Sequence, residues 1–107
     1  MRHHIFCSDR QMQLLASAKT WYMDATFRVV NKPWSQLFSI STHAFIKTGE
    51  TTRQLPLVFC VMSGKSHDDY YKVLRAVHNL LPEDIALEAC VVDFEAGLWQ
   101  ALRRRFG

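Results

Sequence analysis

Apolar and polar residues alternate with period two from Thr20 to Val30. Trp21, Met23, Ala25, Phe27 and Val29 fall on one face, and Tyr22, Asp24, Thr26 and Arg28 on the other, which predicts a β-strand. Asn31-Lys32-Pro33-Trp34 reads as a turn, because proline fixes φ and cannot continue a central strand. Leu37 to Ile46 predicts a second strand, Lys47-Thr48-Gly49-Glu50 a turn, and Leu55 to Met62 a third strand with Pro56 near its start. Gly64 breaks the pattern. Ser66 followed by Asp69 resembles a capping box, and Tyr70, Val73, Leu74, Val77, Leu80 and Leu81 recur at helical spacing until Pro82. Ala89 to Val92 is a short apolar run of the kind that suits a strand covered on both faces. Beyond Asp93, the residues Phe94, Leu98, Trp99, Ala101, Leu102 and Phe106 form a second helical stripe, weakened a little by Gly97. Ahead of all this, Ile5-Phe6-Cys7 predicts a short strand, and Ser8 or Asp9 the cap of a short helix through Leu14, Leu15 and Ala18.

The order is three antiparallel strands, a helical crossover, a fourth strand parallel to the first, and a helix. This is the opening of a mixed-sheet α/β fold. The 107 residues form one unit, with residues 1–19 as a preface of strand and helix and 20–107 as the core. The sequence stops where one more strand and helix are expected, which suggests a domain truncated before them.

Composition is ordinary for a globular chain, 49% hydrophobic and 21% charged. The net charge of +3 permits a polyanionic partner without requiring one. Cys7, Cys60 and Cys90 show no C-x-x-C spacing, so neither a disulfide framework nor a zinc finger is indicated, and an intracellular setting fits best. Cys60 and Cys90 sit inside apolar runs as small core residues. No apolar run approaches the length of a membrane span.

Two carboxylates stand out. Asp24 lies in mid-strand among apolar neighbours, where aspartate is depleted and a buried charge is costly unless paired or metal-bound. The alternative is a solvent-facing Asp24 near Arg28. Asp93 ends the run Cys90-Val91-Val92. It is placed either as a helix N-cap or at the carboxyl end of a strand, where open α/β sheets bind ligands.

Tyr22-Met23-Asp24-Ala25-Thr26-Phe27-Arg28-Val29-Val30 and Gln36-Leu37-Phe38-Ser39-Ile40 resemble the first catalytic strand and hairpin of MULE (Mutator-like element) transposases. Leu55-Pro56-Leu57-Val58, Met62-Ser63-Gly64-Lys65 and Tyr71 are similar to that family's third strand and first helix, and Val91-Val92-Asp93-Phe94-Glu95-Ala96 to its second catalytic strand. The similarity runs from about Phe6 onward. It implies an RNase H-like fold with a DDE triad in which Asp24 is the first acid and Asp93 the second. The third, a glutamate on a later helix, has no counterpart in these residues. In an RNase H-like topology the first strand is central and the fourth lies parallel beside it, so the two aspartates converge. Two carboxylates so placed repel unless a cation separates them. The resemblance implies Mg²⁺ or Mn²⁺ in a two-metal site, a clamp on the attacking and leaving oxygens of a phosphodiester displacement. It also implies DNA as partner (transposon ends and target), a nuclear location and a homo-oligomer when the domain is complete.

Other residues are weaker candidates. Glu95 suits a helix start and a supporting role beside the metal. Arg28 and Lys65 are placed to contact phosphate or to be solvated charge. Arg103, Arg104 and Arg105 suit the negative end of the last helix, or DNA. His3, His4 and Cys7 lack a fourth metal ligand. Trp34 is placed to stack on a base or to staple its turn, while Tyr70, Leu74 and Val77 belong to the core. Three functions compete: a transposase catalytic core; a catalytically inactive, domesticated descendant that binds DNA or protein; and a small phosphate-binding module. The last is disfavoured because Gly64-Lys65-Ser66 lacks the upstream glycine of a phosphate loop.

Overall fold

A computed structural model of the chain describes residues 2–26, 34, 36–45, 52–82, 84–92 and 96–107. Strand β1 spans His3–Phe6 and helix α1 Asp9–Ser17. Strands β2 (Thr20–Thr26), β3 (Gln36–Phe45) and β4 (Thr52–Met62) follow, then α2 (His67–Leu80), β5 (Ala89–Val92) and α3 (Ala96–Phe106). They form an α/β fold with one five-stranded mixed sheet, in the order β1-β4-β3-β2-β5. All neighbours are antiparallel except β2 and β5, which are parallel.

The expected meander and the parallel return of the fourth strand beside the first are both present. The N-terminal residues do more than precede the core. Ile5 pairs with Cys60 and Phe6 with Phe59, so β1 extends the sheet beyond β4. A four-residue strand has too little periodicity of its own to announce its partner. The last four residues of the first expected strand, 27–30, lie outside the described residues.

Both helix starts follow from local chemistry. The Ser8 hydroxyl accepts from the Gln11 amide while the Gln11 side chain accepts from the Ser8 amide. Ser66 and Asp69 make the same reciprocal pair at the start of α2, aspartate replacing the usual glutamate. Leu81 caps the end of α2 in extended backbone, as a following proline requires.

All three helices pack on one sheet face. That face carries Trp21 and Met23 of β2, Phe38 and Ile40 of β3, and Val58, Cys60 and Met62 of β4, all buried. Met12, Leu15 and Ala16 meet it from α1, Tyr70, Val73, Leu74 and Val77 from α2, and Leu98, Ala101 and Leu102 from α3. Trp21 joins three layers. Its indole N–H donates to the Leu15 carbonyl at 3.0 Å, and its ring meets Phe106 edge-on at 5.6 Å. Burial pushes the Cys60 thiol up to about 12, so it is an inert core group.

A buried polar pair sits inside this core. Gln36 is fully buried; its Nε2 donates to the Gly64 carbonyl at 2.9 Å, and its Oε1 accepts from the Tyr70 hydroxyl at 3.0 Å. The first residue of β3 thereby ties the loop after β4 to the first turn of α2.

The opposite sheet face is open among the described residues, and this corrects the reading of Ala89–Val92 as covered on both sides. The strand lies at the sheet edge, and Val91 is 51% exposed. Its unbroken apolar run reflects one face under α3 and one face bare. Trp99 is also exposed, off the buried stripe of α3, and Phe94 lies outside the described residues. On the bare face Phe6 and Phe59 stand directly opposite each other, 58% and 37% exposed. Large apolar side chains on an uncovered sheet drive association. The isolated chain is expected to self-associate with rising concentration, as seen by light scattering. A Phe6→Ser/Phe59→Ser double variant should scatter as a monomer at concentrations where the parent does not.

Gly97 reverses its expected role. A Cβ there would meet the Lys65 carbonyl at 3.0 Å, the His67 amide nitrogen at 3.1 Å and the Ser66 carbonyl carbon at 3.2 Å, all backbone atoms. Glycine is what lets the starts of α3 and α2 touch. On helix propensity alone, Gly97→Ala would stabilise by about 1 kcal/mol. The expected outcome is instead a loss of about 1 kcal/mol, since overpacking costs roughly 1–3 kcal/mol. A urea melt showing a gain would mean that the loop yields freely.

Candidate functional site

The carboxyl end of the sheet collects the candidate chemistry. Thr26, the last residue of β2, pairs with Leu37, one residue into β3, and Gln36, where β3 begins, pairs with Met62, where β4 ends. The loop Ser63–Ser66 leaves from that edge and is held there by Gln36. The starts of α2 and α3 meet at Gly97 on the same edge. Two helix N-termini therefore meet at this edge, that of α2 closed by its Ser66–Asp69 capping pair.

Asp24 lies on the bare face and is exposed. It occupies one cross-strand row with Ser39, Phe59 and Phe6. A hollow of about 240 Å³ beside it is lined by Tyr22, Met23, Asp24, Gln54, Val91 and Val92. Asp24 is thus the solvent-facing carboxylate of the two alternatives, and no burial penalty has to be offset. Its tolerance in mid-strand comes from the open face. On the amino-terminal side, His43 packs on Tyr22 at 4.4 Å between ring centroids.

The parallel register pairs Thr20 with Ala89, Trp21 with Cys90, Tyr22 with Val91 and Met23 with Val92. Each of the two aspartates is the next residue after the last of these pairs. Asp93 itself lies outside the described residues, as do Glu95 and Arg28. Among the described residues no group of three His, Cys, Asp or Glu side chains is placed to hold a metal ion. Asp24 is a hard oxygen donor of the type Mg²⁺ and Mn²⁺ take.

The basic candidates divide by position. Lys65 is exposed on the loop at the site edge. Arg103, Arg104 and Arg105 sit on the last turn of α3, in the helical layer across the sheet from Asp24. That end of α3 lies over the amino-terminal end of β2, where Phe106 meets Trp21. Each arginine already has a partner. Arg103 stacks over Trp99 at 5.7 Å, and Arg105 donates from Nε to His78 Nδ1 at 2.9 Å. Arg104 pairs with Asp68 at 3.1 Å and lies over the Tyr71 ring at 3.9 Å. The structure does not bring this cluster to Asp24; Arg104 and Arg105 fasten α3 to α2, while Arg103 stacks within α3.

His3 and His4 are adjacent in β1 and so point to opposite faces, which separates them as ligands. Burial, then His4, lowers the pKa of His3. Trp34 packs edge-on against the exposed His4 at 5.2 Å, not against the core, and residues 31–33 of its turn lie outside the described residues. Sequence reasoning missed the roles of Gln36 and Gly97 at this edge. The polar Gln36 opening an apolar strand was the available signal for the first; nothing local marked the second.

No protein-family model, curated protein or solved structure matches the chain.

Proposed function

We propose that the chain is the catalytic core of a DNA transposase of the MULE type, with an RNase H-like fold, in which Asp24 and Asp93 are carboxylate ligands of a divalent metal. The observation that carries this reading is the parallel register of β2 and β5, which ends at Met23 opposite Val92, the two residues that precede these aspartates. Support also comes from the order β4-β3-β2-β5 with α2 as crossover, and from ligand sites lying at the carboxyl ends of strands in open α/β sheets.

Mg²⁺ or Mn²⁺, when bound, supplies an activated water and charge stabilisation for phosphodiester hydrolysis, followed by attack of the freed 3′-OH on target DNA. The chain's own residues hold and orient. Asp24 presents carboxylate oxygens from strand β2 beside an open hollow. Lys65 is exposed on the loop between β4 and α2 at this edge, a cation of the kind that pairs with phosphate, while Asp68 and Asp69 occupy the first turn of α2. A third carboxylate, from residues beyond these, completes the ligand set in a DDE enzyme. Glu95 serves in a supporting role.

The test is a Mn²⁺ titration of the chain, followed by electron paramagnetic resonance of the free ion. Saturable uptake that Mg²⁺ displaces is the expected result, and a flat titration with no bound fraction would overturn the metal assignment.

A second reading, a domesticated domain that binds a partner without catalysis, is favoured by one observation: the exposed Phe6–Phe59 pair stands in the same row as Asp24. It predicts partner binding that is indifferent to divalent metal.

A further inference from the structure

The last turn of α3 is fastened by an unusual bond. Arg105 donates from Nε to Nδ1 of His78, on the last turn of α2, at 2.9 Å. A histidine nitrogen that accepts a hydrogen bond carries no proton, so His78 is neutral here with its proton on Nε2. Beside it, Phe106 packs on the His78 ring at 5.1 Å and on Trp21 at 5.6 Å. Arg105, His78, Phe106 and Trp21 thus form one chain of contacts from α2 through the end of α3 to the central strand β2.

We infer that the last turn of α3 is an acid-released clasp, in which neutral His78 holds Arg105 through Nδ1 and lets go when that nitrogen takes up a proton. Protonation removes the acceptor and sets an imidazolium against a guanidinium. Among the described residues the charged groups around His78 are few. Arg105 faces it from α3, Arg75 lies one helical turn back on α2, and Glu88 lines a hollow with Phe106. Asp84 lines a different hollow, with Gln13 and Ser17. The nearest charge is therefore of like sign to the imidazolium, and no carboxylate is hydrogen-bonded to His78 among the described residues. The other end of α3 is fixed independently by Gly97 against the start of α2. Arg104 stays paired with Asp68 and Tyr71, so release is local to the end of the last turn and uncovers Phe106 and Trp21 while the rest of the sheet holds.

The direction with pH follows from proton binding. Burial, and after it Arg105, lowers the His78 pKa from its ordinary 6.5. The folded state binds fewer protons than the unfolded chain around that value, so the clasp is whole above it and weakens as pH falls.

The test is nuclear magnetic resonance on the whole chain at about pH 8 and about pH 5, the range over which histidine titrates. Amide protection of residues 103–107 is compared with that of β3. A several-fold loss at 103–107 with β3 unchanged is expected in the parent. His78→Asn keeps an acceptor near the Nδ1 position but cannot titrate, and should hold its protection at both pH values. In Arg105→Gln, the His78 ring should titrate closer to its ordinary value. Equal protection at both pH values in the parent, the same loss in His78→Asn, or an unmoved His78 titration in Arg105→Gln would each overturn the clasp.

Discussion

Asp24→Asn is expected to leave the fold as stable as the parent and to abolish its response to Mn²⁺. The side chain is exposed on the bare sheet face and accepts no hydrogen bond from another described residue, so its neutralisation should change stability by no more than about 0.5 kcal/mol. If Asp24 and Asp93 share a cation, removing either charge removes binding. Asp93→Asn should behave likewise and, without metal, be as stable or slightly more so, because like charges brought together repel. In a protein that carries the third acid, either change should lower strand cleavage on the order of 10³-fold, since a bound metal supplies several kcal/mol of transition-state stabilisation. DNA binding should survive. Thermal melts with and without Mn²⁺ separate this from a purely structural role. If Asp93 is only an N-cap, Asp93→Asn keeps the cap and its stability, Asp93→Ala costs about 1 kcal/mol in the apo protein, and neither the parent nor the variants respond to metal.

Gln36→Leu is expected to be the most damaging single change in the polar core. The leucine fills a similar volume but removes the bonds that Gln36 makes to the part-buried Gly64 carbonyl and to the Tyr70 hydroxyl at 2.9 and 3.0 Å. Losing a hydrogen bond at a buried site costs roughly 1–3 kcal/mol, so a loss of about 3 kcal/mol for the two is expected. For a domain of this size, each kcal/mol lowers Tm by about 4–8 °C, so a fall of more than about 12 °C is expected. Tyr70→Phe, which removes the bond to the Gln36 oxygen and leaves that to Gly64, should cost about half as much. The two changes share one network, and their double variant should cost less than the sum. A Gln36→Leu melt within about 2 °C of the parent would show that water replaces these bonds, since that shift corresponds to well under 1 kcal/mol. Because Gln36 anchors the Gly64–Ser66 loop, the variant should also loosen the start of α2 at the candidate site.

The sequence by itself determined the elements whose signals are local. Period-two alternation placed β2, and Ser66 with Asp69 and Pro82 set the limits of α2, while the choice of Ser8 over Asp9 as the cap of α1 came from its pairing with Gln11 in the structure. It also determined that Asp24 lies on one, and Asp93 directly follows the other, of two strands that pair in parallel, because a strand, a helical crossover and a strand return in one hand to one sheet. The tertiary structure decided the rest. An apolar run such as Ala89–Val92 records that it avoids water, not how many faces are covered, and only the placement of all three helices on one side left Val91 bare. Strand β1 is too short to name its partner, and its pairing with β4 rests on contacts nearly sixty residues away in sequence. The arginine run Arg103–Arg105 carries charge but no direction, and packing turned Arg104 and Arg105 toward α2, away from Asp24. Gly97 reads as a weak point in a helix until the backbone of Lys65–His67 arrives 3.0 Å from where its side chain would stand. Periodicity encodes which face of an element seeks a core; which partner meets that face is settled only when distant segments compete for the same surface.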